Sequence, residues 1–289
     1  MTTRTTSEPT VCATTVDSRA RFRDLLVAEW IKLWSLRSTF WVLGSGALVV
    51  IGINVNSARS NVDRLAHQPE LPPAPPPGLP ELPQMLFDPL STAFVEPAWQ
   101  LLMVVGAIAV FGEYTSGLIR TTFAAVPARR SLMAAKMSVL AAVMFVLGAV
   151  VAGASFGVTQ AILRDHRGMS LSDPGAVRAV AASALLAPLC ALVGMALGAL
   201  IRHAAGTVVT VVGVLLLLPT LFQGETYRWV KEIGNAMPLT AWQALVRNPE
   251  RDYNVGMYPV SVAEAWIVCG AWSLVAAVIA IAVVQRRDV

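Results

Sequence analysis

The sequence predicts an all-α membrane protein: six transmembrane helices, an N-terminal amphipathic helix in the interface, and a short cytoplasmic helix between the second and third spans. Three observations predict it. Hydrophobic residues make up 55% of the chain and charged residues 14%, with a mean hydropathy of +0.61, which leaves too little polar surface to coat a soluble globule. Several apolar runs reach the roughly 18 residues that take a helix across about 30 Å of hydrocarbon. At that depth every backbone polar group must be bonded inside its own segment, so these runs are helices. Lastly, Lys and Arg concentrate in alternate connecting segments, the bias that orients spans in a bilayer.

Residues 1–18, MTTRTTSEPTVCATTVDS, are rich in Thr and Ser and lack the apolar centre of a signal peptide, so a disordered cytoplasmic tail is expected. In residues 19–37, Phe22, Leu25, Leu26, Trp30, Leu33 and Trp34 recur at helical spacing, with Arg23, Lys32 and Ser35 off that stripe. This suits a helix in the inner interface, its tryptophans at headgroup level and its cations against anionic lipid. A plain extension of the first span is the alternative. Residues 38–289 then form the transmembrane domain.

Six spans are predicted: Thr39–Asn56, Ala93–Phe111, Leu132–Leu163, Ala176–Ile201, Ala204–Phe222 and Val262–Val284. The third exceeds a simple crossing and should tilt or project. Only RHAAG separates the fourth from the fifth. With both termini cytoplasmic, the inner segments hold Arg4, Arg19, Arg21, Arg23, Lys32, Arg37, Arg120, Arg129, Arg130, Lys136, Arg202, Arg286 and Arg287, and the outer ones fewer Lys and Arg. The prolines of residues 69–89 favour an extended polyproline geometry in an outer loop. Residues 223–261 form the last outer region.

Little in the chain suggests catalysis. GASFG, from Gly153 to Gly157, matches GxSxG by letter, but that motif needs a strand-to-helix turn exposing its Ser, and Ser155 lies inside an apolar helical run. None of His67, His166 and His203 is placed to serve it as a base. Small residues so spaced are expected to allow close packing of membrane helices. Cys12, Cys190 and Cys269 show no ligand spacing. No Walker A sequence is present, so any ATP that drives this chain is bound elsewhere. The acidic residues fall at span ends and in loops rather than within spans, which argues against a proton or sodium relay.

Residues 112–131 interrupt this apolar pattern. Glu113 and Tyr114 close the second span, and Thr115 and Ser116 can cap a short helix. Leu118, Ile119, Thr122, Phe123 and Val126 share one face; Pro127 ends it; Arg129 and Arg130 follow, and Ser131 can cap the third span. Such a helix either lies on lipid or enters a groove on a soluble partner.

The order of AEWIKLWSLRSTFW, first span, outer loop, second span and GEYTSGLIRTTFAAVPARR resembles the type-2 permease subunits of ATP-binding-cassette (ABC) exporters, those of actinobacteria especially. The resemblance runs from about Arg21 to the C-terminus. Glu113, Gly117, Arg120, Pro127 and Arg130 occupy the places where that family has Glu, Gly, Arg, Pro and a basic residue, while Leu118 stands where Thr or Ser is common. The resemblance implies that residues 112–131 are a cytoplasmic coupling loop, contacting an ABC ATPase subunit through Glu113, Tyr114, Gly117, Arg120, Phe123, Pro127 and Arg130. It implies an elbow helix marked by Glu29, Trp30, Lys32, Trp34 and Arg37, and a second permease copy or paralogue. ATP and Mg would sit on the partner ATPase, and this chain would carry no cofactor, metal or catalytic residue. NAMPLTAWQAL, Asn235 to Leu245, resembles the family's outer re-entrant region, with a surface helix as the alternative.

The expected function is therefore export of a hydrophobic or amphiphilic compound across a bacterial plasma membrane, with lipid and protein as partners and no nucleic acid. Trp99, Met103, Met144 and Phe145 suit such a cargo path and equally suit packing. A membrane anchor or immunity protein without transport is the structural alternative. An intramembrane hydrolase, resting on Ser155, is the enzymatic one.

Overall fold

Hydropathy alone dictates helices here, and helices are what form. The computed structural model describes residues 21–35, 37–67, 88–108, 129–166, 168–201, 203–224, 226–249 and 257–286, with no strand among them. The elements are α1 (Phe22–Ser35), α2 (Arg37–Ala66), α3 (Pro89–Ala93), α4 (Glu96–Ile108), α5 (Arg129–Ile162), α6 (Ala176–Ile201), α7 (Ala204–Val212), α8 (Leu218–Leu221), α9 (Arg228–Asn235), α10 (Pro238–Val246) and α11 (Val262–Arg286).

Among the described residues four helices are long and apolar enough to cross a membrane: α2, α5, α6 and α11. The other two predicted spans come out differently. Residues 93–111 do not form one continuous helix, because Pro97 lacks the N–H that would bond back to the Ala93 carbonyl. The chain breaks at Phe94 and Val95 and restarts as α4, which is described only as far as Ile108. The fifth span is shorter than the long four, and its helix is interrupted by a π turn at Gly213–Leu217. Pro219 explains the turn, since its ring would clash with the carbonyl four residues back in a regular helix. The Leu218 N–H instead bonds the Gly213 carbonyl, widening the helix just ahead of the proline.

α6 has the predicted bounds and is the central helix. It is buried over most of its length and packs on α4, α5, α10 and α11, whereas few residues of α2 and α11 are buried. Pro188 in its middle frees the Ala184 carbonyl from its usual bond. That carbonyl lies against Gly148 of α5, where a Cβ would overlap it, and the Ala107 backbone of α4 lies as close to Gly194. Glycine therefore sets the approach of α4 and α5 to α6, as small residues do at membrane-helix contacts. Gly153 and Gly157, expected to do this, have no neighbouring atom within 4 Å of a built Cβ and face outward.

Several boundaries also move. α5 takes in Arg129 and Arg130, so Ser131 lies inside the helix and does not cap it. At 34 residues the helix is about 50 Å long and overshoots the hydrocarbon at one end or both. His203 caps α7 by accepting the Gly206 N–H at 3.2 Å. Residues 235–245 are not a surface helix: Leu239, Ala241, Trp242, Ala244 and Leu245 of α10 are buried in the bundle. Arg178 of α6 donates to the Leu245 carbonyl at 2.9 Å and to the Arg247 carbonyl at 2.5 Å, satisfying the C-terminal end of α10.

Candidate functional site

α1 turns toward the bundle the side of itself that contains Glu29, while Asp24 stays exposed. Leu25, Glu29 and Leu33 are four residues apart and share a face. Leu25 packs with Leu132 and Ala135 of α5, and Leu26 flanks them. Glu29, only 2% exposed, is held from both sides: Lys32 Nζ lies 2.7 Å from Oε1 and Lys136 Nζ 2.8 Å from Oε2. Lys32 is 36% exposed and Lys136 13%, so Lys136 is the buried partner and Lys32 the wet one. Burial pushes the Glu29 carboxyl up, but Lys136 and then Lys32 outweigh it and hold the group below the ordinary carboxylate value. The Coulombic attraction of such a pair roughly offsets its desolvation, whereas removing one partner costs about 3–5 kcal/mol. The cluster thus locks α1 onto α5 more than it adds to stability.

The sequence marks Lys136 only as a topological charge and predicts no buried ionisable group in the spans, whereas Lys136 is largely buried. It lies nearly two turns into α5, with its charge matched from outside that helix. Sequence spacing hinted at half of this, since Glu29 interrupts an apolar face where no charge belongs without a partner.

The other elbow residues divide between surface and contact. Trp30 is about half exposed and meets Trp34 edge-on with ring centroids 5.6 Å apart. Trp34 is half-buried and lies 4.6 Å from Phe40 of α2, measured between ring centroids. Arg37 opens α2, and its side chain lies outside the described part. Of the loop residues, Glu113, Tyr114, Gly117, Arg120, Phe123 and Pro127 lie outside the described residues, and Arg130 is exposed in the first turn of α5. α5 is the helix that leaves this loop, so the Glu29 cluster sits within two turns of the loop's end.

Trp99, Met103 and Met144 are fully buried in the main core, whereas Phe145 is 46% exposed and points outward. Trp99 packs against Trp242 of α10, ring centroids 5.9 Å apart, and Trp242 Nε1 donates to Ser183 of α6 at 3.0 Å.

Ser155 is buried inside α5 and accepts from Asn54 Nδ2 of α2 at 3.0 Å. Asn54 Oδ1 accepts the Val95 N–H at 3.1 Å, the donor that the break before α4 strands. One amide thus joins α2, the α3–α4 break and α5, and Ser155 occupies helical backbone rather than the sharp turn of a nucleophile elbow. Toward the same end of the bundle, Gln160 donates to the Pro89 carbonyl at 3.0 Å and accepts the Met169 N–H at 2.7 Å. No protein-family model and no curated protein matches this chain, so its own residues carry the functional reading.

Proposed function

We propose that the chain is the membrane-spanning subunit of an ATP-driven exporter, powered by a separate ABC ATPase that docks on residues 112–131. In this reading both termini are cytoplasmic and the broken α3–α4 and α7–α8 segments complete six crossings. Residues 223–261 are the outer re-entrant region, and a second permease copy or paralogue forms the other half of the path. The observation that best supports it is the Glu29 cluster. A docked ATPase would push on the loop, and the loop continues directly into α5. Because Lys136 ties α5 to Glu29, a displacement of the start of α5 would carry α1 with it, moving a rigid two-helix unit rather than a flexible loop. The four long apolar helices supply the membrane setting that this mechanism needs.

Pull-down of the ATPase with wild-type and Phe123→Asp permease, at matched membrane levels, tests the reading. An unpaired carboxylate in an apolar docking cleft should lower affinity on the order of a thousandfold while membrane insertion survives. Equal recovery would show that the partner docks elsewhere, and no recovery with either protein would show that none exists. A Walker A reading frame beside this gene would favour the exporter over a membrane anchor, which has no need of an ATPase.

A further inference from the structure

At the end of the bundle opposite the Glu29 cluster, a cavity of about 250 Å³ opens between the end of α8, α9, α10 and the segment entering α11. Chain direction fixes its place: α5 runs away from Lys136, α6 returns, and α7 and α8 run outward again to Phe222 on the cavity wall. Gly234 brings α9 close, since a Cβ there would overlap the Phe222 carbonyl. Asn235 donates to the Tyr258 carbonyl at 3.1 Å and fixes the opposite wall.

Among the described lining residues donors predominate and none is a carboxylate. Among the described residues Gln223, Thr240, Gln243 and the Arg247 guanidinium, all on this wall, make no hydrogen bond or ion pair through their side chains. Lys231 adds a second cation, and Phe222, Tyr258 and Val260 supply an apolar side. Alongside, α9 carries Trp229 and Ile233 on one exposed stripe and an Arg228–Glu232 ion pair of 2.7 Å on another. Exposed Tyr227 and Trp229 so placed suit headgroup depth.

We infer that this cavity holds the phosphate head of an amphiphile, with Arg247 as its charge partner, Thr240 and Gln243 as neutral donors, and the apolar chain leaving past Phe222 and Tyr258. The inference does not depend on the exporter reading, because binding needs neither ATPase nor transport. The test uses the full chain in nanodiscs of zwitterionic lipid, titrated calorimetrically with dodecyl phosphate, dodecyltrimethylammonium and inorganic phosphate, with empty discs subtracted. Dodecyl phosphate should saturate one site per chain, the ammonium should not, and inorganic phosphate should bind at least about tenfold more weakly for want of the chain's apolar burial. Arg247→Gln should weaken dodecyl phosphate on the order of tenfold, with partial recovery in Arg247→Lys. Gln243→Glu, which keeps the shape of the wall and reverses its charge preference, should weaken it too. Arg228→Gln, outside the cavity, should change nothing. Equal binding of the ammonium, inorganic phosphate binding as tightly as dodecyl phosphate, or unchanged affinity in both Arg247→Gln and Gln243→Glu would overturn it.

Discussion

At Glu29 a single carboxylate decides how α1 meets the bundle. Glu29→Gln breaks the buried Glu29–Lys136 ion pair, so the chain should lose about 3–5 kcal/mol, read as a lower thermal midpoint in micelles. Replacing Glu29 and Lys136 together by Met should recover most of that loss, because an apolar pair of similar volume removes both desolvation penalties. The pH dependence has a definite sign. Glu29 has a lowered pKa in the folded chain, so its contribution is complete above the ordinary carboxylate value and is lost as pH falls through the lowered one. The difference in melting between wild type and Glu29→Gln should therefore hold from neutrality down to about pH 5 and shrink only below that. Ser155 gives a second test. Ser155→Ala strands the Asn54 amide it now accepts from, a cost of about 1–3 kcal/mol. A hydrolase would instead lose its activity in this variant while keeping its stability.

At the scale of elements, glycine sets helix spacing in one place and not in another, and the sequence does not say which. Gly148→Ala would drive a methyl into the Ala184 carbonyl, separating α5 from α6 at a cost of about 1–3 kcal/mol. Gly153→Ala, in open space on the same helix, should be neutral or stabilising by up to about 1 kcal/mol through helix propensity. Thermal unfolding of the two variants side by side checks both statements, and equal destabilisation would contradict this packing. Local composition was a good guide where it acts locally. It placed α6 at Ala176–Ile201 and started α11 at Val262. It set the start of the second span at Ala93 rather than Glu96 and did not foresee the π turn within the fifth, because a 19-residue average hides a single proline, and Pro97 and Pro219 each redirect a backbone bond.

For the whole molecule, the question is which way the bundle faces. The excess of Lys and Arg on alternate connections predicts both termini inside. A Cys-less chain carrying one cysteine at position 76 or 129 tests it: an impermeant thiol reagent added outside intact cells should label position 76 and spare position 129. The reverse pattern would invert the bundle, placing the Glu29 cluster outside and the donor-lined cavity inside. It would also remove the exporter reading, since no cytoplasmic ATPase reaches a loop on the outer face.

Composition alone reveals the solvent that each segment must meet. An apolar run too long for anything but a bilayer must bond its own backbone, and that makes the chain helical and membrane-embedded without knowledge of any contact. The face of α1 was only half legible, for the stripe of Phe22, Leu25, Leu26, Trp30, Leu33 and Trp34 was visible, yet Phe22 and Trp30 are about half exposed and the most buried residue is Glu29. Tertiary structure decided that burial, because Glu29 is paired by a cation that arrives from another helix, and Lys136 is distant along the chain. The same holds for Asn54, whose two partners come from α5 and from the break before α4, and for the cavity at Arg247, whose walls come from four separate segments. Periodicity assigns residues to a face of one helix; which partner that face meets is fixed only when the helices pack.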